Sequence, residues 1–205
     1  MSKIVNDLIK NGYLKSDLII DAFSEISRIE FVPAELESEA EENIALPIGY
    51  GQTVSQPLIV AFMLELLDPR RGQKILDVGS GSGWTTSLLS YIVGSSGKVI
   101  GVEIIEELKK IGERNTDKYG YVKKRIAEFH IYDGSIGFSP GAPYDRILVS
   151  AAADRIPEEL KNQLKVGGKM VIPVWNSIFY LEKKSDTDFR QEEFPGFVFV
   201  PLITK

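Results

Sequence analysis

Lys74-Ile75-Leu76-Asp77-Val78-Gly79-Ser80-Gly81-Ser82-Gly83 is the stretch whose reading decides the fold. Ile75, Leu76 and Val78 make the short apolar run of a strand buried between helices in a parallel sheet. Alternate glycines follow; they tolerate positive φ and let a ligand lie directly against the backbone, while a helix opening near Trp84 supplies N–H groups. A polar small molecule is expected here.

A glycine-rich turn between strand and helix is common to nicotinamide, flavin and S-adenosylmethionine sites. The dinucleotide fingerprint is G-x-G-x-x-G, with pyrophosphate on the helix N-terminus, whereas Gly79, Gly81 and Gly83 are spaced G-x-G-x-G. This disfavours a nicotinamide-dependent oxidoreductase. Asp77 suits a ligand with a cationic amino group, reached directly or through water, and repels phosphate. Downstream, Val99-Ile100-Gly101-Val102-Glu103 reads as a second strand ending in an acid, the position from which a carboxylate accepts the hydrogens of both ribose hydroxyls. Amino acid plus nucleoside describes S-adenosylmethionine. Each acid also has a plainer reading, Asp77 as a strand-end carboxylate capping a turn and Glu103 as a solvated loop acid.

Working outward, the composition is that of an ordinary folded domain. The 205 residues are 43% hydrophobic, enough for a sizeable core. No apolar run is long enough to cross a bilayer, and Met1-Ser2-Lys3-Ile4 leads into a mixed helix rather than a signal peptide, so a cytoplasmic protein without a membrane partner is expected. With no cysteine and one histidine, a metal site, a thiol nucleophile and a histidine-based triad are all disfavoured. A net charge of -5 argues against nucleic acid bound on a broad basic face.

Two short amphipathic helices open the chain. Val5, Leu8 and Ile9 form one stripe ended by Asn11-Gly12; Ser16-Asp17 caps the next, in which Ile19, Ala22, Phe23 and Ile26 share a face. Phe31-Val32-Pro33 breaks the pattern, and the acidic run Glu35 to Glu42 reads as a solvated face, helical or looped. Leu46 to Pro57 carries two glycines and two prolines and is expected to be an irregular loop of fixed course. Ser55 is expected to N-cap the helix that follows, with Pro57 in its first turn. Gln52, Thr53 and Gln56 between apolar anchors look like a wall of hydrogen-bonding groups facing a ligand.

The rest alternates strands and helices, the pattern of a doubly wound sheet: helices over Trp84 to Val93 and Glu106 to Lys118, strands over Glu128 to Tyr132 and Arg146 to Ser150. Asp133-Gly134 falls at the carboxyl edge, where such sheets bind ligands; Asp133 can accept from an adenine amino group or sit in a D-G turn. Ser150-Ala151-Ala152-Ala153 leaves room over the sheet, and Gly167-Gly168 reads as a turn. Strands at Met170 to Val174, Ile178 to Glu182 and Phe197 to Leu202 complete the sheet, with a polar loop at Lys184 to Gln191. Phe197 to Leu202 can pair with a copy of itself or stand as an ordinary edge.

In content and order, PIGYGQTVSQP (Pro47 to Pro57), LDVGSGSG (Leu76 to Gly83), VIGVE, YDG (Tyr132 to Gly134), PYDRILVSAAA (Pro143 to Ala153), QLKVGGKMVIPV (Gln163 to Val174) and FVPL (Phe199 to Leu202) resemble the protein-L-isoaspartate (D-aspartate) O-methyltransferases, a family of class I S-adenosylmethionine-dependent methyltransferases. GQTVSQP is the family-specific element; FVPA at Phe31 to Ala34 also fits. The resemblance implies a doubly wound, mostly parallel Rossmann-like α/β sheet with helices on both faces and an N-terminal helical cover. Residues 1–205 would be one methyltransferase domain, with a cover at 1–45, an active-site loop at 46–57 and the cofactor-binding sheet and C-terminal strands at 58–205. It implies methyl transfer from S-adenosylmethionine, without a metal, to the free α-carboxylate of L-isoaspartyl residues, so that damaged proteins and peptides are the partners and repair the outcome. Ser55 would match the catalytic serine that orients the acceptor, with Thr53 in the same pocket; Gln56, Asp77, Gly79, Gly81, Glu103, Asp133 and Gly134 would hold the cofactor. The backbone around Val200 and Leu202 would pair with the substrate as an added strand. Several features depart from the family pattern: Glu39 to Ile44 keeps acids but has no tyrosine, the G-D-G element appears as Tyr132-Asp133-Gly134, and Trp175-Asn176-Ser177 replaces an expected glycine and downstream glutamine. They leave room for a divergent relative that methylates another carboxylate or only binds.

Overall fold

The computed structural model describes residues 1–204. Its centre is a seven-stranded sheet in the order β5-β4-β3-β6-β7-β8-β9, made of β3 (Lys74–Val78), β4 (Lys98–Glu103), β5 (Ala127–Ile131), β6 (Tyr144–Val149), β7 (Leu164–Val174), β8 (Ser177–Lys183) and β9 (Phe189–Pro195). From β5 to β7 neighbours run parallel; β8 and β9 run antiparallel. This is the expected doubly wound, mostly parallel sheet. Ile75, Leu76 and Val78 are fully buried, each side chain contributing about 1.5–3 kcal/mol of transfer free energy. From β3 the chain steps outward to β4 and β5 and then crosses back to β6 on the other side of β3, so the strand order reverses there and a crevice opens over the carboxyl ends of these strands.

The two faces are covered unequally. α3 (Pro57–Leu67), α4 (Trp84–Val93) and Leu108 of α5 (Glu106–Asp117) share one core with Ile75, Val99, Leu148 and Val171, and α1 (Lys3–Lys10) and α2 (Asp17–Glu25) close over them. Phe23 of α2 meets Trp84 edge-on at 5.7 Å. The opposite face holds Leu76, Val78 and Ile147 against short 3-10 turns and the five-residue α6 (Glu158–Asn162). Among the described residues no helix is long and apolar enough to cross a membrane.

Several local expectations are corrected. Leu46 to Pro57 is not irregular: β1 (Leu46–Gly49) and β2 (Gln52–Val54) form an antiparallel hairpin. Tyr50 and Gly51 both have positive φ (55° and 70°), the turn that matches strand twist, so the glycines close the hairpin instead of preventing it. Gln56, not Ser55, is the N-cap of α3, and Ser55 is left outside the helix. Ser16 occupies the N-cap of α2 without a side-chain cap bond; the Glu65 carboxylate accepts the Ser16 N–H (2.9 Å) and hydroxyl (2.7 Å) instead. The acidic run keeps the solvated face expected of it, opening in a 3-10 helix over Ala34–Glu39 with no buried residue.

Gly167-Gly168 lies inside β7, where the pairing jumps from Tyr144↔Leu164 to Arg146↔Lys169; the glycines absorb a bulge rather than end a strand. The last sheet strand is β9, which begins inside the segment read as a polar loop and runs on to Pro195. Its Arg190, Glu192 and Glu193 are what a protected edge carries, so apolar alternation is missing. Phe197 to Leu202 is not a sheet strand. It crosses above the sheet, held by one bridge: Ala152 N–H donates to Val200 C=O (2.8 Å) and Leu202 N–H donates to Ala152 C=O (2.7 Å). Phe197 stacks on Phe62 of α3 at 5.4 Å, which fixes where this segment begins.

Candidate active site

The site is built where β3 and β4 end. After Val78 the chain turns through Gly79 (φ 75°), Gly81 (φ 50°) and Gly83 (φ 89°) into α4. Gly83 is required by a second constraint: a Cβ there would lie 2.6 Å from Gly112 C=O and 2.7 Å from Thr116 Oγ1 of α5. The turn's N–H groups are largely engaged, Gly79 and Ser80 donating to Val102 C=O and Gly83 to Ser80 C=O. What the glycines offer a ligand is bare backbone surface rather than a nest of free donors.

Glu103 faces this turn. Its Oε1 accepts from Ile104 N–H (2.9 Å) and Ile105 N–H (3.0 Å), and its Oε2 accepts from Gly81 N–H (3.0 Å). Of the four or so acceptor positions on a carboxylate, this leaves about one, on Oε2. Asp77 is fully buried behind the turn, and its Oδ2 accepts from Thr85 Oγ1 (2.8 Å) and Thr86 Oγ1 (2.6 Å). Oδ1 has no hydrogen-bond partner among the described residues. Burial pushes this carboxyl up to about 6, against the two hydroxyl bonds that favour its charge, and the nearby Glu103 charge adds to the rise.

The cleft bounded by these groups encloses about 710 Å3, open solvent at its mouth included. Gly79, Gly81, Glu103 and Gly134 line it from the sheet side, Thr53 and Ser55 from the hairpin, and Val200 and Leu202 from the C-terminal segment. Ile48 of β1 rests over the glycine turn. A second pocket adjoins the cleft, lined by Ala45, Gln56, Ile59, Val198 and Phe199, and the two share Thr53, Ser55, Ser150 and Val200 as a common wall.

Most of the residues read from the sequence thus meet in one place, and three do not. Asp77 is beneath the cleft rather than on its surface. Gln56 faces the second pocket, on the other side of the wall from the cofactor role given to it. Asp133 precedes the lining residue Gly134, and its Oδ1 accepts from Ser135 N–H (2.9 Å) and hydroxyl (2.6 Å). Gly134 has no room for a side chain, since a Cβ would collide with Val78. Among the described residues no group of acids, histidines or cysteines has metal-binding geometry.

Arg28 is the residue that sequence reasoning missed. It is 4% exposed, in a segment otherwise read as cover. Nη1 donates to Ala40 C=O (3.1 Å) and Glu42 C=O (3.3 Å); Nη2 donates to Ile44 C=O (2.8 Å), Ser55 C=O (3.1 Å) and Val54 C=O (3.4 Å). The guanidinium also lies 5.3 Å over the Trp84 ring. Burial lowers its pKa to about 10, Glu41 working the other way, so it stays charged at neutral pH. Asn43 Oδ1 adds a bond from Leu58 N–H (3.0 Å), tying the same segment to the start of α3. A lone arginine between Ser27 and Ile29 carries no local signal, because its partners come from three other segments.

A family model described as protein-L-isoaspartate(D-aspartate) O-methyltransferase matches residues 1–205. The chain belongs to that family. A protein-L-isoaspartate O-methyltransferase of Methanopyrus kandleri is 44% identical over 205 residues, covering 98% of this chain and 90% of the relative. A solved protein-L-isoaspartate O-methyltransferase superposes with a TM-score of 0.87 at 30% identity over 97% of this chain, which spans 64% of that longer protein. A Plasmodium falciparum protein of the same description, solved with S-adenosyl-L-homocysteine, gives 0.85 at 20% identity over 98% of this chain and 97% of its own, a likeness of fold. Two of the four residues of the shared wall, Thr53 and Ser55, lie in the GQTVSQP segment.

Proposed function

We propose that this protein transfers a methyl group from S-adenosylmethionine to the free α-carboxylate of L-isoaspartyl residues in damaged proteins and peptides, the first step of their repair. The observation that carries this reading is the common wall, where the hydroxyls of Thr53 and Ser55 stand between a cleft lined by Glu103, with Asp77 beneath it, and a second pocket that reaches the C-terminal segment. The cleft fits the donor. Two carboxylates, one with an orphaned buried oxygen, favour a cationic ligand and oppose a diphosphate. When bound, S-adenosylmethionine supplies a methyl group already activated on a sulfonium.

An acceptor carboxylate is ionised at neutral pH, so no general base is called for and placement is what the protein contributes. Aligning two reactants can supply roughly 7–11 kcal/mol of a barrier. Ser55 donates to the acceptor carboxylate and orients it, with Thr53 and Gln56 beside it. Glu103 takes a ribose hydroxyl at its remaining acceptor position, Gly79 and Gly81 give the methionine half a close backbone surface, and Asp77 supplies negative charge from beneath. Asp133 and Gly134 border the adenine. Since Val200 C=O and Leu202 N–H are bonded to Ala152, a substrate strand would pair along Phe199 and Pro201, leaving Val200 and Leu202 as wall. Pairing by backbone admits many sequences, as repair of varied proteins needs. A chain without cysteine suits a reducing compartment, and we place it in the cytoplasm acting on proteins rather than nucleic acid.

The test is transfer of labelled methyl to an isoaspartyl peptide and its aspartyl counterpart. In isoaspartate the free carboxylate is attached directly to Cα, one methylene closer to the backbone. A pocket that grips the backbone leaves the aspartyl carboxylate displaced, and misplacement by ~1 Å is worth on the order of 100-fold in rate. The isoaspartyl peptide should be labelled and the aspartyl one not. Ser55→Ala should lower turnover about 10- to 100-fold while S-adenosylhomocysteine affinity, measured by calorimetry, is unchanged. Equal labelling of both peptides would refute the proposal.

A further inference from the structure

We propose that the groove beyond the acceptor pocket is a subsite for a basic side chain of the substrate peptide, formed by the indole of Trp175 and the carboxylate of Asp154. This deepens the function proposed above and rests on it. Trp175 and Asn176 make the two-residue turn between β7 and β8, with Val174 paired to Ser177. Trp175 sits at φ 53°, a backbone region bulky residues avoid, and is 68% exposed. The core gains little from it. Glycine or asparagine would be easier to accommodate at this turn, so the aromatic ring calls for a use outside the fold. The turn has a fixed neighbour. The main-chain N–H of Trp175 donates to Ala153 C=O (3.1 Å), and the bridge between Ala153 and Val174 sets the turn beside Asp154.

The place is continuous with the acceptor pocket. Phe199 lines that pocket on one side and, on the other, a cavity it shares with Ala152, Asp154 and Trp175. A peptide leaving the pocket across Phe199 therefore enters this cavity, and the groove then continues past Arg155, Glu158 and Glu159. Three acids face one base along this path. Glu158 is paired with Lys161 at 2.8 Å, whereas Asp154 has no ion pair among the described residues. An aromatic face beside an unpaired carboxylate suits a lysine or arginine, whose stem lies on the ring while its charge meets both partners. An apolar neighbour would use the ring alone, and an acidic one would be repelled.

The experiment uses isoaspartyl peptides that differ only in carrying lysine, leucine or glutamate at each position flanking the isoaspartyl residue, with the donor saturating. At one flank the lysine peptide should show a KM about five-fold below the leucine peptide and further below the glutamate peptide, the scale of an exposed cation–π contact aided by charge, with kcat unchanged. The preference should shrink as salt is raised. Trp175→Gly and Asp154→Asn should each remove most of it while leaving turnover of an alanine-flanked peptide intact. Trp175→Gly should also raise the melting temperature, because it relieves the positive φ, and this shows that the variant is folded. No dependence on the flank, a preference for leucine over lysine, or a lysine preference that survives both substitutions would overturn the proposal. Failure to methylate any of the peptides, with S-adenosylhomocysteine bound, would instead reject isoaspartyl methylation itself and this subsite with it.

Discussion

At the scale of single residues, Asp77 is the group whose environment is most at odds with its ordinary chemistry. Its carboxyl titrates near pH 6 in the folded protein, so the native state binds a proton more readily than the unfolded chain does. The sign follows: Asp77 makes stability fall as pH rises from about 4 through about 6, and its destabilising contribution is complete above that. At 1.36 kcal/mol per pH unit, the span is worth on the order of 3 kcal/mol. Asp77→Asn cannot titrate, so the stability of the variant relative to the parent should rise by up to about 3 kcal/mol across that window, whatever constant offset the lost charge introduces. Denaturant unfolding at a series of pH values measures this, and parallel curves would refute it. Asp77 and Glu103 were legible from the sequence because both are set by local order, an acid at the end of an apolar run beside glycines. That Asp77 would lie beneath the cleft was not legible, since Thr85 and Thr86 draw its side chain toward α4.

Among the elements, the hairpin β1–β2 is the least secured by its own length and the most dependent on Arg28. Two short strands in isolation are marginal at best. Here one guanidinium gathers carbonyls from both sides of the hairpin and from Ser55. Lysine keeps the charge but not the planar fork. Arg28→Lys should therefore lower turnover of an isoaspartyl peptide at least ten-fold with S-adenosylhomocysteine affinity within about two-fold, and destabilise the protein by about 2–4 kcal/mol. Assays below the variant's melting temperature separate the two effects, and full activity in a folded variant would show that the hairpin holds itself. This element also marks where sequence reading ran out. The strands of the parallel sheet announce themselves through valine and isoleucine, as in Val99 to Val102. The hairpin was hidden by its glycines and prolines, β9 by its charges, and Arg28 by the distance along the chain to every carbonyl it serves.

Across the whole molecule, the donor cleft lies between the sheet below and two thin coverings above, the hairpin and the C-terminal segment. The latter is tied to the sheet at Ala152 by two main-chain hydrogen bonds. These coverings are also the surface on which a protein substrate would rest. A substrate bound there would close the way by which the donor enters and its spent form leaves, and the expected sequence of turnover is donor in first, methylated protein out next, spent donor out last. Initial-rate measurements should find S-adenosylhomocysteine competitive with S-adenosylmethionine and noncompetitive with the peptide. Inhibition competitive with the peptide would contradict the order. With that order, the supply of fresh donor relative to spent donor, rather than the abundance of damage alone, would govern how many molecules stand ready to repair.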